Sequence, residues 1–250
     1  MTALRLLQLS DCHLAAEPGR SFRGVDPDAG LWRLSAAVKA FDPDVLVLTG
    51  DLSEDGSAAA YRRLAEWVQN FERRVWWLPG NHDDPAVMRP IFAGAGFDEG
   101  PVVEAGGWQF LLLDTRWPGD PGGELDEARL AAWDRVKPDR PLGVFMHHQP
   151  VPVGAHWIDK VGLRAPERLW SRVERGPAPA FIAFGHVHQR FRRACRNVEC
   201  LACPSTAANS LPGTARFTPG ELAPMARWFR LDVAGWRSGY LRPDRERWDG

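Results

Sequence analysis

Five apolar runs in this chain are each followed by a short polar motif, and the motifs are rich in aspartate and histidine. The runs are Leu4 to Leu9, Val45 to Leu48, Val75 to Leu78, Leu142 to Met146 and Phe181 to Phe184. The motifs are Asp11-Cys12-His13, Gly50-Asp51, Gly80-Asn81-His82-Asp83, His147-His148 and Gly185-His186-Val187-His188. The runs predict strands, so the motifs should emerge at strand ends, where α/β sheets bind ligands. Together they indicate a two-metal hydrolytic site.

The composition and net charge restrict the classes of partner that the chain is expected to bind. The chain has 250 residues, of which 44% are hydrophobic and 25% charged, as expected for one globular domain with its own core. Its 31 basic and 32 acidic residues leave a net charge of -1, which argues against nucleic acid or an anionic membrane as a partner and favours a small-molecule substrate. No stretch approaches the ~18 apolar residues of a membrane span, and the N-terminus is too short and polar for a signal peptide. We therefore predict a cytoplasmic protein.

The four cysteines, Cys12, Cys195, Cys200 and Cys203, are too few and too unevenly spaced for a disulfide framework. We expect reduced thiols. The pair Cys200-x-x-Cys203 resembles half of a zinc ribbon, but a zinc ribbon needs a second pair of ligands at similar spacing, and the sequence lacks one.

Strand-like runs alternate with helical patterns as far as residue 190, which is typical of βαβ units. The predicted helices run from Leu31 to Phe41, from an N-cap at Ser57 to Val68, from Asp84-Pro85 onward, from Asp126 to Val136 and from Ala165 to Arg175. Short runs then follow at Arg190 to Arg193, Val198 to Ala202, Arg227 to Val233 and Trp236 to Leu241. We expect them to form a second, antiparallel sheet.

The predicted fold class is therefore α/β, with two packed mixed sheets flanked by helices and the metal site at strand ends. Residues 1–250 should form one domain, in which 1–190 carry all the metal motifs and 190–250 complete the second sheet. Two loops are predicted, Gly119 to Gly123 and 205–224, and the second is long enough to be mobile or to form a wall of the site. Among the twelve tryptophans, we expect Trp67, Trp133 and Trp170 to lie in the core.

The motif residues supply mixed nitrogen and oxygen ligands. Asp11 and His13 can turn toward one point, and the two oxygens of Asp51 can bridge two cations. From a turn, His186 and His188 can bind adjacent ions, while Asn81 and His147 add an oxygen and a nitrogen. Such a set suits manganese, iron or zinc ions better than calcium. Two ions about 3.5–4 Å apart can convert a water between them to hydroxide for attack on phosphorus, so the set predicts phosphoester hydrolysis.

These motifs resemble those of the calcineurin-like metallophosphoesterases, which carry Asp-x-His, Gly-Asp, Gly-Asn-His-Asp/Glu, His and Gly-His-x-His in this order. The resemblance implies the family's fold and a dinuclear centre. It assigns Asp11, His13, Asp51 and His188 to the first metal, and Asp51, Asn81, His147 and His186 to the second. Asp51 would bridge the two ions.

The resemblance also implies that Asn81 and His82 are catalytic and that His13, Asp51, Asn81, His82 and His188 contact the substrate. His82 would not bind metal but would lie over the phosphate as a hydrogen-bond donor and acid. Related protein phosphatases orient this histidine with an acid three residues after the bridging aspartate. Glu54 has that place here and Asp55 is next to it, so either could serve.

Further segments are similar to the bacterial class III cyclic-AMP phosphodiesterases. They are Gly24-Val25, Gly50-Asp51-Leu52, Ser57 to Tyr61, Trp77 to Asp83, Gly123-Glu124-Leu125, His147 to Pro152 and Pro204-Ser205-Thr206. The resemblance extends to about Val233. It implies hydrolysis of a 3′,5′-cyclic nucleotide, with cyclic AMP as the expected substrate and the 5′-monophosphate as product.

Several points stay open at the sequence level. The ligand in the fourth motif is predicted to be His147, with His148 as the alternative, and His148 and His156 could equally be structural. No local motif reads a base, and the candidates are Phe22, Arg23, Tyr61, His156 and Trp157. Alternative substrates are a glycerophosphodiester, a 2′,3′-cyclic nucleotide or a nucleotide monophosphate, and a non-catalytic binding protein is the alternative class. The chain could be a monomer or a homodimer.

Overall fold

The first of two β-sheets contains the amino-terminal strand. In the computed structural model, which describes residues 3–220, 223–232 and 234–243, this sheet comprises β1 (Leu4–Leu9), β2 (Val45–Thr49), β3 (Arg74–Leu78), β10 (Ala226–Asp232) and β11 (Gly235–Leu241). The strand order is β11-β10-β1-β2-β3. The neighbours β1, β2 and β3 are parallel, and β10 is antiparallel to both β1 and β11. This sheet is therefore mixed.

The second sheet has its parallel strands at the centre. It comprises β4 (Val102–Ala105), β5 (Trp108–Leu113), β6 (Leu142–Met146), β7 (Phe181–Phe184), β8 (Phe191–Cys195) and β9 (Val198–Ala202). The order is β4-β5-β6-β7-β9-β8. The four central strands, β5, β6, β7 and β9, are parallel to one another, and β4 and β8 pair antiparallel to β5 and β9 at the two edges.

The two sheets pack face to face over a layer of aromatic side chains. Trp76 of the first sheet lies 5.2 Å from Phe110 of the second, measured between ring centroids. Phe229 likewise contacts Phe145 at 5.7 Å and Phe181 at 4.8 Å. Because side chains alternate along a strand, the other face of each sheet is left for helices. Both outer faces carry their own buried apolar clusters with those helices.

The helices lie outside the sheets. They are α1 (Pro27–Phe41), α2 (Ala58–Gln69), α3 (Pro85–Gly94), α4 (Glu127–Leu130), α5 (His156–Asp159) and α6 (Glu167–Arg175), with a 3-10 helix at Ala131–Arg135. The predicted N-cap at Ser57 is confirmed, since its side chain accepts a hydrogen bond from the backbone N–H of Ala60. The expected architecture of two packed mixed sheets flanked by helices is confirmed.

The expectation that all the strands after residue 190 form one antiparallel sheet is wrong. They do not form an antiparallel sheet of their own, because β8 and β9 join the second sheet whereas β10 and β11 extend the first sheet beyond β1. The second sheet begins much earlier, with the unpredicted hairpin of β4 and β5. Which strands pair depends on contacts between distant segments, and local sequence patterns do not carry that information. Val233, which was included in that expectation, lies outside the described residues, as do 221–222 of the long loop.

One expectation about a helix needs correction, and the expectation about three core tryptophans is confirmed. The helix predicted from Asp126 to Val136 is shorter, with one α-helical turn followed by the 3-10 helix. Trp67, Trp133 and Trp170 are buried, as predicted. None of the helices in the described part of the chain is long and apolar enough to cross a membrane.

Candidate metal centre

The five polar motifs meet at the carboxyl ends of β1, β2, β3, β6 and β7. A backbone hydrogen bond joins the loops after β1 and β2, from Asp11 N–H to the carbonyl of Gly50. The backbone N–H of His186, after β7, donates to the carboxylate of Asp11. Apart from Asn81, which is partly exposed, every predicted ligand side chain is buried: Asp11, His13, Asp51, His147, His186 and His188.

The first group of predicted ligands comprises Asp11, His13 and His188. The Nε2 atoms of His13 and His188 are 3.1 Å apart. Oδ1 of Asp11 lies 3.4 Å from Nε2 of His188. One ligand atom from each of the three residues lies within 4.8 Å of the others. This group therefore presents two nitrogens and an oxygen to one point.

The second group of predicted ligands comprises Asn81, His147 and His186. Nε2 of His147 lies 3.2 Å from Oδ1 of Asn81, and the rings of His147 and His186 are 5.1 Å apart between centroids. Asp51 faces both groups, because its Oδ2 is 3.2 Å from Nε2 of His147 and 3.9 Å from Nε2 of His13. The structure thus brings all seven predicted ligands together and places Asp51 between the two groups.

The outer ring nitrogens of the four histidines each face an acceptor. Nδ1 of His147 lies 2.8 Å from the carbonyl of Thr49, Nδ1 of His188 lies 2.7 Å from that of Ala208, and Nε2 of His186 lies 3.1 Å from that of Val161. Nδ1 of His13 lies 2.7 Å from Oε2 of Glu54. Carbonyl and carboxylate oxygens accept hydrogen bonds, so the proton belongs on these outer nitrogens. This second layer of contacts is the one that usually orients histidine ligands of metals.

The distance between the facing rings of His13 and His188 shows whether these residues fit a metal ion. Because the outer nitrogens face acceptors, the inner nitrogens of the two rings face each other across 3.1 Å. Burial lowers the pKa of His13, which favours its neutral form. Two nitrogens that each lie about 2.0–2.1 Å from one cation are roughly 3 Å apart when they occupy adjacent positions. The donor set therefore fits a cation.

The backbone at the ligands is strained. Five of the seven predicted ligands have a φ angle between 46° and 67°, in the left-handed region: Asp11, His13, Asp51, His186 and His188. Residues other than glycine seldom adopt this conformation, and such outliers cluster at functional sites. The strain is consistent with turns that aim these side chains at the two groups. Spacing in the sequence gave no sign of it.

Two glycines allow the loops after β2 and β3 to approach each other. Gly50 has a φ of +86°, and a Cβ placed on it would lie 2.5 Å from the backbone nitrogen of Gly80. A Cβ on Gly80 would lie 2.3 Å from Oδ1 of Asp51. Both motifs therefore need glycine at these positions, because there is no room for a side chain beside Asp51 and Gly80.

The charges of the site favour the binding of cations. Burial raises the pKa values of Asp11 and Asp51, but the neighbouring histidines outweigh this effect and lower them overall, so both carboxylates are ionised. Burial lowers the pKa of His147, whereas the carboxylate of Asp51 raises it by more, to about 9. In the part of the chain that the structure describes, histidines are the ion-pair partners of Asp11 and Asp51. Two buried negative charges without a lysine or arginine partner are stabilised by bound cations.

His82 lies at the mouth of the site, with its side chain 37% exposed. Its ring is 5.0 Å from that of His13, and its backbone N–H donates to Oδ1 of Asp51. Burial lowers the pKa of its ring, but the charges of Asp51 and Glu54 raise it overall. His82 is therefore placed to meet a substrate and is biased toward its protonated form.

The structure distinguishes the two acids that could orient His82. Oε2 of Glu54 lies 3.3 Å from Nδ1 of His82. The carboxylate of Asp55 instead accepts hydrogen bonds from Ser53, from the backbone N–H of Ser57 and from the backbone N–H of Ala16. Glu54 is thus the acid beside His82, and Asp55 stabilises the loop after β2.

His148 points to a different set of partners from His147. Its Nδ1 lies 2.8 Å from the hydroxyl of Thr115, and its Nε2 lies 3.2 Å from the carbonyl of Pro121. Burial lowers the pKa of His148 to about 3, so its ring is neutral. Both nitrogens are engaged with the segment before β6, which favours His147 as the ligand and a structural role for His148.

Of the candidates for a base pocket, one is a core residue and three lie beside the site. Tyr61 is fully buried and its hydroxyl donates to Asp83, so it belongs to the core and is not a pocket residue. Phe22, Arg23 and Trp157 lie together beside the first group. Phe217, from the long loop, completes that cluster, and sequence reasoning missed it because no local pattern connects this loop to the site. The loop is a wall of the site, as one of the two expectations for it stated.

The cysteines are free, in line with the expectation of reduced thiols. Burial raises the pKa of Cys12 to about 12, so this residue of the first motif is a thiol. Burial also raises the pKa of Cys200 to about 12. No group of candidate metal ligands in the described residues includes a cysteine.

Comparison with known proteins gives a consistent result. The sequence model of the calcineurin-like phosphoesterases matches residues 4–190. The 3′,5′-cyclic adenosine monophosphate phosphodiesterase CpdA of Pseudomonas aeruginosa is 36% identical over 235 residues, which are 92% of this chain and 86% of the relative. The enzyme of the same name from Escherichia coli K12 is 34% identical over 242 residues, covering 93% and 86%.

A solved structure shares the fold. A dimetal phosphatase from Danio rerio superposes with a TM-score of 0.69, at 12% sequence identity and with 97% of each chain covered. At that identity the likeness concerns the fold alone. It confirms the predicted arrangement of two packed sheets with flanking helices.

Proposed function

The chain belongs to the calcineurin-like phosphoesterase family, and on that premise we propose that it hydrolyses 3′,5′-cyclic AMP to 5′-AMP. The observation that carries the proposal is the convergence of all seven ligand candidates on two adjoining groups that share Asp51. Relatives named as cyclic AMP phosphodiesterases align with nearly the whole chain, which supports this substrate over other phosphoesters.

The residues at the site define how two metal ions would be held. Asp11, His13 and His188 would hold the first ion, Asn81, His147 and His186 the second, and Asp51 would bridge them. When bound, the two ions would supply Lewis-acid stabilisation of the phosphoryl charge and activation of water. The mixed nitrogen and oxygen donors favour iron and manganese, with zinc as a further candidate.

Hydrolysis of the cyclic ester adds one water molecule. Phosphorus gains a bond to the water oxygen, its bond to O3′ breaks, and O3′ takes up a proton. We propose that His82 donates this proton, because its ring lies at the mouth of the site and the charges of Asp51 and Glu54 raise its pKa. Glu54 would also orient the ring, and Asn81 would help to place the phosphate. The substrate contacts would come from His13, Asp51, Asn81, His82 and His188.

The test is a parallel assay of 3′,5′-cyclic AMP, 2′,3′-cyclic AMP, glycerophosphocholine and 5′-AMP with added Mn²⁺. We expect 3′,5′-cyclic AMP to be cleaved with the highest kcat/KM and to give 5′-AMP. The Asp51→Ala variant should lose this turnover. Preference for another ester would overturn the substrate assignment, and binding without cleavage of any ester would favour a non-catalytic role. A cytoplasmic location and a monomeric or homodimeric state stay predictions.

A further inference from the structure

A cluster of three aromatic rings and one guanidinium group adjoins the first group of ligands. We call it the aromatic rim, and it consists of Phe22, Arg23, Trp157 and Phe217. The ring of Phe22 stacks on that of His13, with centroids 3.9 Å apart and planes 9° apart. Phe217 contacts the ring of His188 edge-on at 6.3 Å. The rim therefore begins directly beside two of the candidate metal ligands.

Arg23 lies among the three rings. Its guanidinium carbon is 4.0 Å from the ring centroid of Phe217, 5.3 Å from that of Phe22 and 5.6 Å from that of Trp157. Phe217 and Trp157 also contact each other edge-on at 5.5 Å. Arg23 has no carboxylate within ion-pair distance in the described chain, so the rings are its main partners. This is a planar cation held against aromatic faces.

The rim is accessible and its segments are anchored. Phe22, Trp157 and Phe217 are partly exposed and Arg23 is exposed, unlike the aromatic residues between the sheets. The backbones of Phe22 and Val25 exchange two hydrogen bonds of 2.9 and 3.0 Å, which close a tight turn. In the long loop, the backbone N–H of Leu211 donates to the carbonyl of Thr218 at 2.8 Å. The surface is thus built from segments far apart in sequence that are fixed locally.

We propose that the aromatic rim is the nucleobase subsite for the cyclic nucleotide, an inference that rests on the proposed function. A cyclic nucleotide with its phosphate at the metal ligands must place its base beside them, and the rim adjoins His13 and His188. Flat, uncharged bases stack on aromatic rings and on arginine. A purine offers a larger stacking area than a pyrimidine. The indole N–H of Trp157 is buried with no acceptor among the described residues, so a base could supply its missing hydrogen bond.

The test compares two phosphodiesters, one with a base and one without. We would measure Phe217→Ala and Arg23→Gln on 3′,5′-cyclic AMP and on 1-deoxyribose 3′,5′-cyclic phosphate, which is the same cyclic ester without a base or any other aromatic group, with Mn²⁺ added. Base stacking predicts a rise of about tenfold or more in KM for cyclic AMP in Phe217→Ala, and a smaller rise in Arg23→Gln. Cleavage of the base-free cyclic phosphate should stay within about twofold. Calorimetry with a phosphorothioate analogue of cyclic AMP should show the same loss of affinity without turnover.

Leu211→Ala is the matched control, because Leu211 is an exposed apolar residue of the same loop and is not one of the four rim residues. It should leave both substrates unchanged. Equal loss on both substrates in Phe217→Ala and Arg23→Gln, or an unchanged KM for cyclic AMP in both, would overturn the base subsite. If the unaltered protein cleaves the base-free cyclic phosphate but not cyclic AMP, the proposed function itself fails, and that outcome is visible before any variant is made.

Discussion

Glu54 connects a candidate metal ligand to the candidate acid. Its Oε2 lies 2.7 Å from Nδ1 of His13 and 3.3 Å from Nδ1 of His82. Burial raises the pKa of Glu54, but its hydrogen bond with His13 and its proximity to His82 lower the pKa overall, so the group is a carboxylate. One side chain thus orients a ring in the first group and stabilises the charged form of His82.

Replacing Glu54 by glutamine should separate these two effects. The amide oxygen can still accept from His13, but the negative charge beside His82 is lost. Because that charge raises the pKa of His82, its removal should lower the pKa. The alkaline limb of the profile of kcat/KM against pH should then move to lower pH, and kcat should fall by about tenfold or more. The profile would be measured with cyclic AMP at saturating Mn²⁺.

Asp55→Asn is the matched control for this prediction. Asp55 is the neighbouring acid, and its carboxylate bonds to the loop after β2 and not to His82. The variant should keep the wild-type pH profile. An alkaline limb that moves in Asp55→Asn but not in Glu54→Gln would contradict the assignment of Glu54.

At the scale of elements, the site depends on how the loops after β2 and β3 fit together. Gly80 packs so closely on the loop after β2 that a Cβ would lie 2.4 Å from the backbone nitrogen of Asp51. The strand ends themselves were predictable, because apolar β-type runs precede each motif. The left-handed backbone of Asp11 and His188 could not be predicted, because it is imposed by contacts among loops that are distant in sequence.

Gly80→Ala should therefore damage the site more than the fold. The added methyl group collides with the backbone and carboxylate of Asp51, so one or both loops must move. A displacement of about 1 Å at reacting groups can cost about a hundredfold in rate, and we expect a loss of that order in kcat/KM for cyclic AMP. Circular dichroism should still show a cooperative thermal transition.

Gly94→Ala provides the comparison for that experiment. Gly94 ends α3 and has no atom within 4 Å of an added Cβ. Since alanine favours helix more than glycine does, this variant should retain full activity and unfold at the same or a slightly higher temperature. Comparable activity of Gly80→Ala and Gly94→Ala would show that the close approach of the two loops is unimportant.

At the scale of the whole molecule, both sheets contribute to one edge where the site lies. The first sheet supplies Asp11, Asp51 and Asn81, and the second supplies His147 and His186. Residue types and their order predicted this set, because the chemistry of two metals requires them. The distribution of β8 to β11 between the sheets could not be predicted, since strand pairing is decided by contacts between distant segments. The same holds for Phe217, which reaches the site from a loop without a motif.

On the proposed function, Asp51 is the residue on which both metal positions would depend. It faces His13 from the first group and His147 from the second, so its loss should weaken both positions. His82 faces the same edge but contacts Asp51 through its backbone. Removal of the His82 side chain should therefore leave the ions in place and slow the reaction by about a hundredfold or more.

The most direct measurement is the metal content of the unaltered protein, Asp51→Ala and His82→Ala after loading with Mn²⁺ and gel filtration. Elemental analysis by mass spectrometry would be read beside the rate of cyclic AMP hydrolysis by the same samples. The dinuclear site predicts about two ions per chain in the unaltered protein and in His82→Ala, and fewer than about one in Asp51→Ala. Two ions retained in Asp51→Ala, or ions lost from His82→Ala, would contradict it.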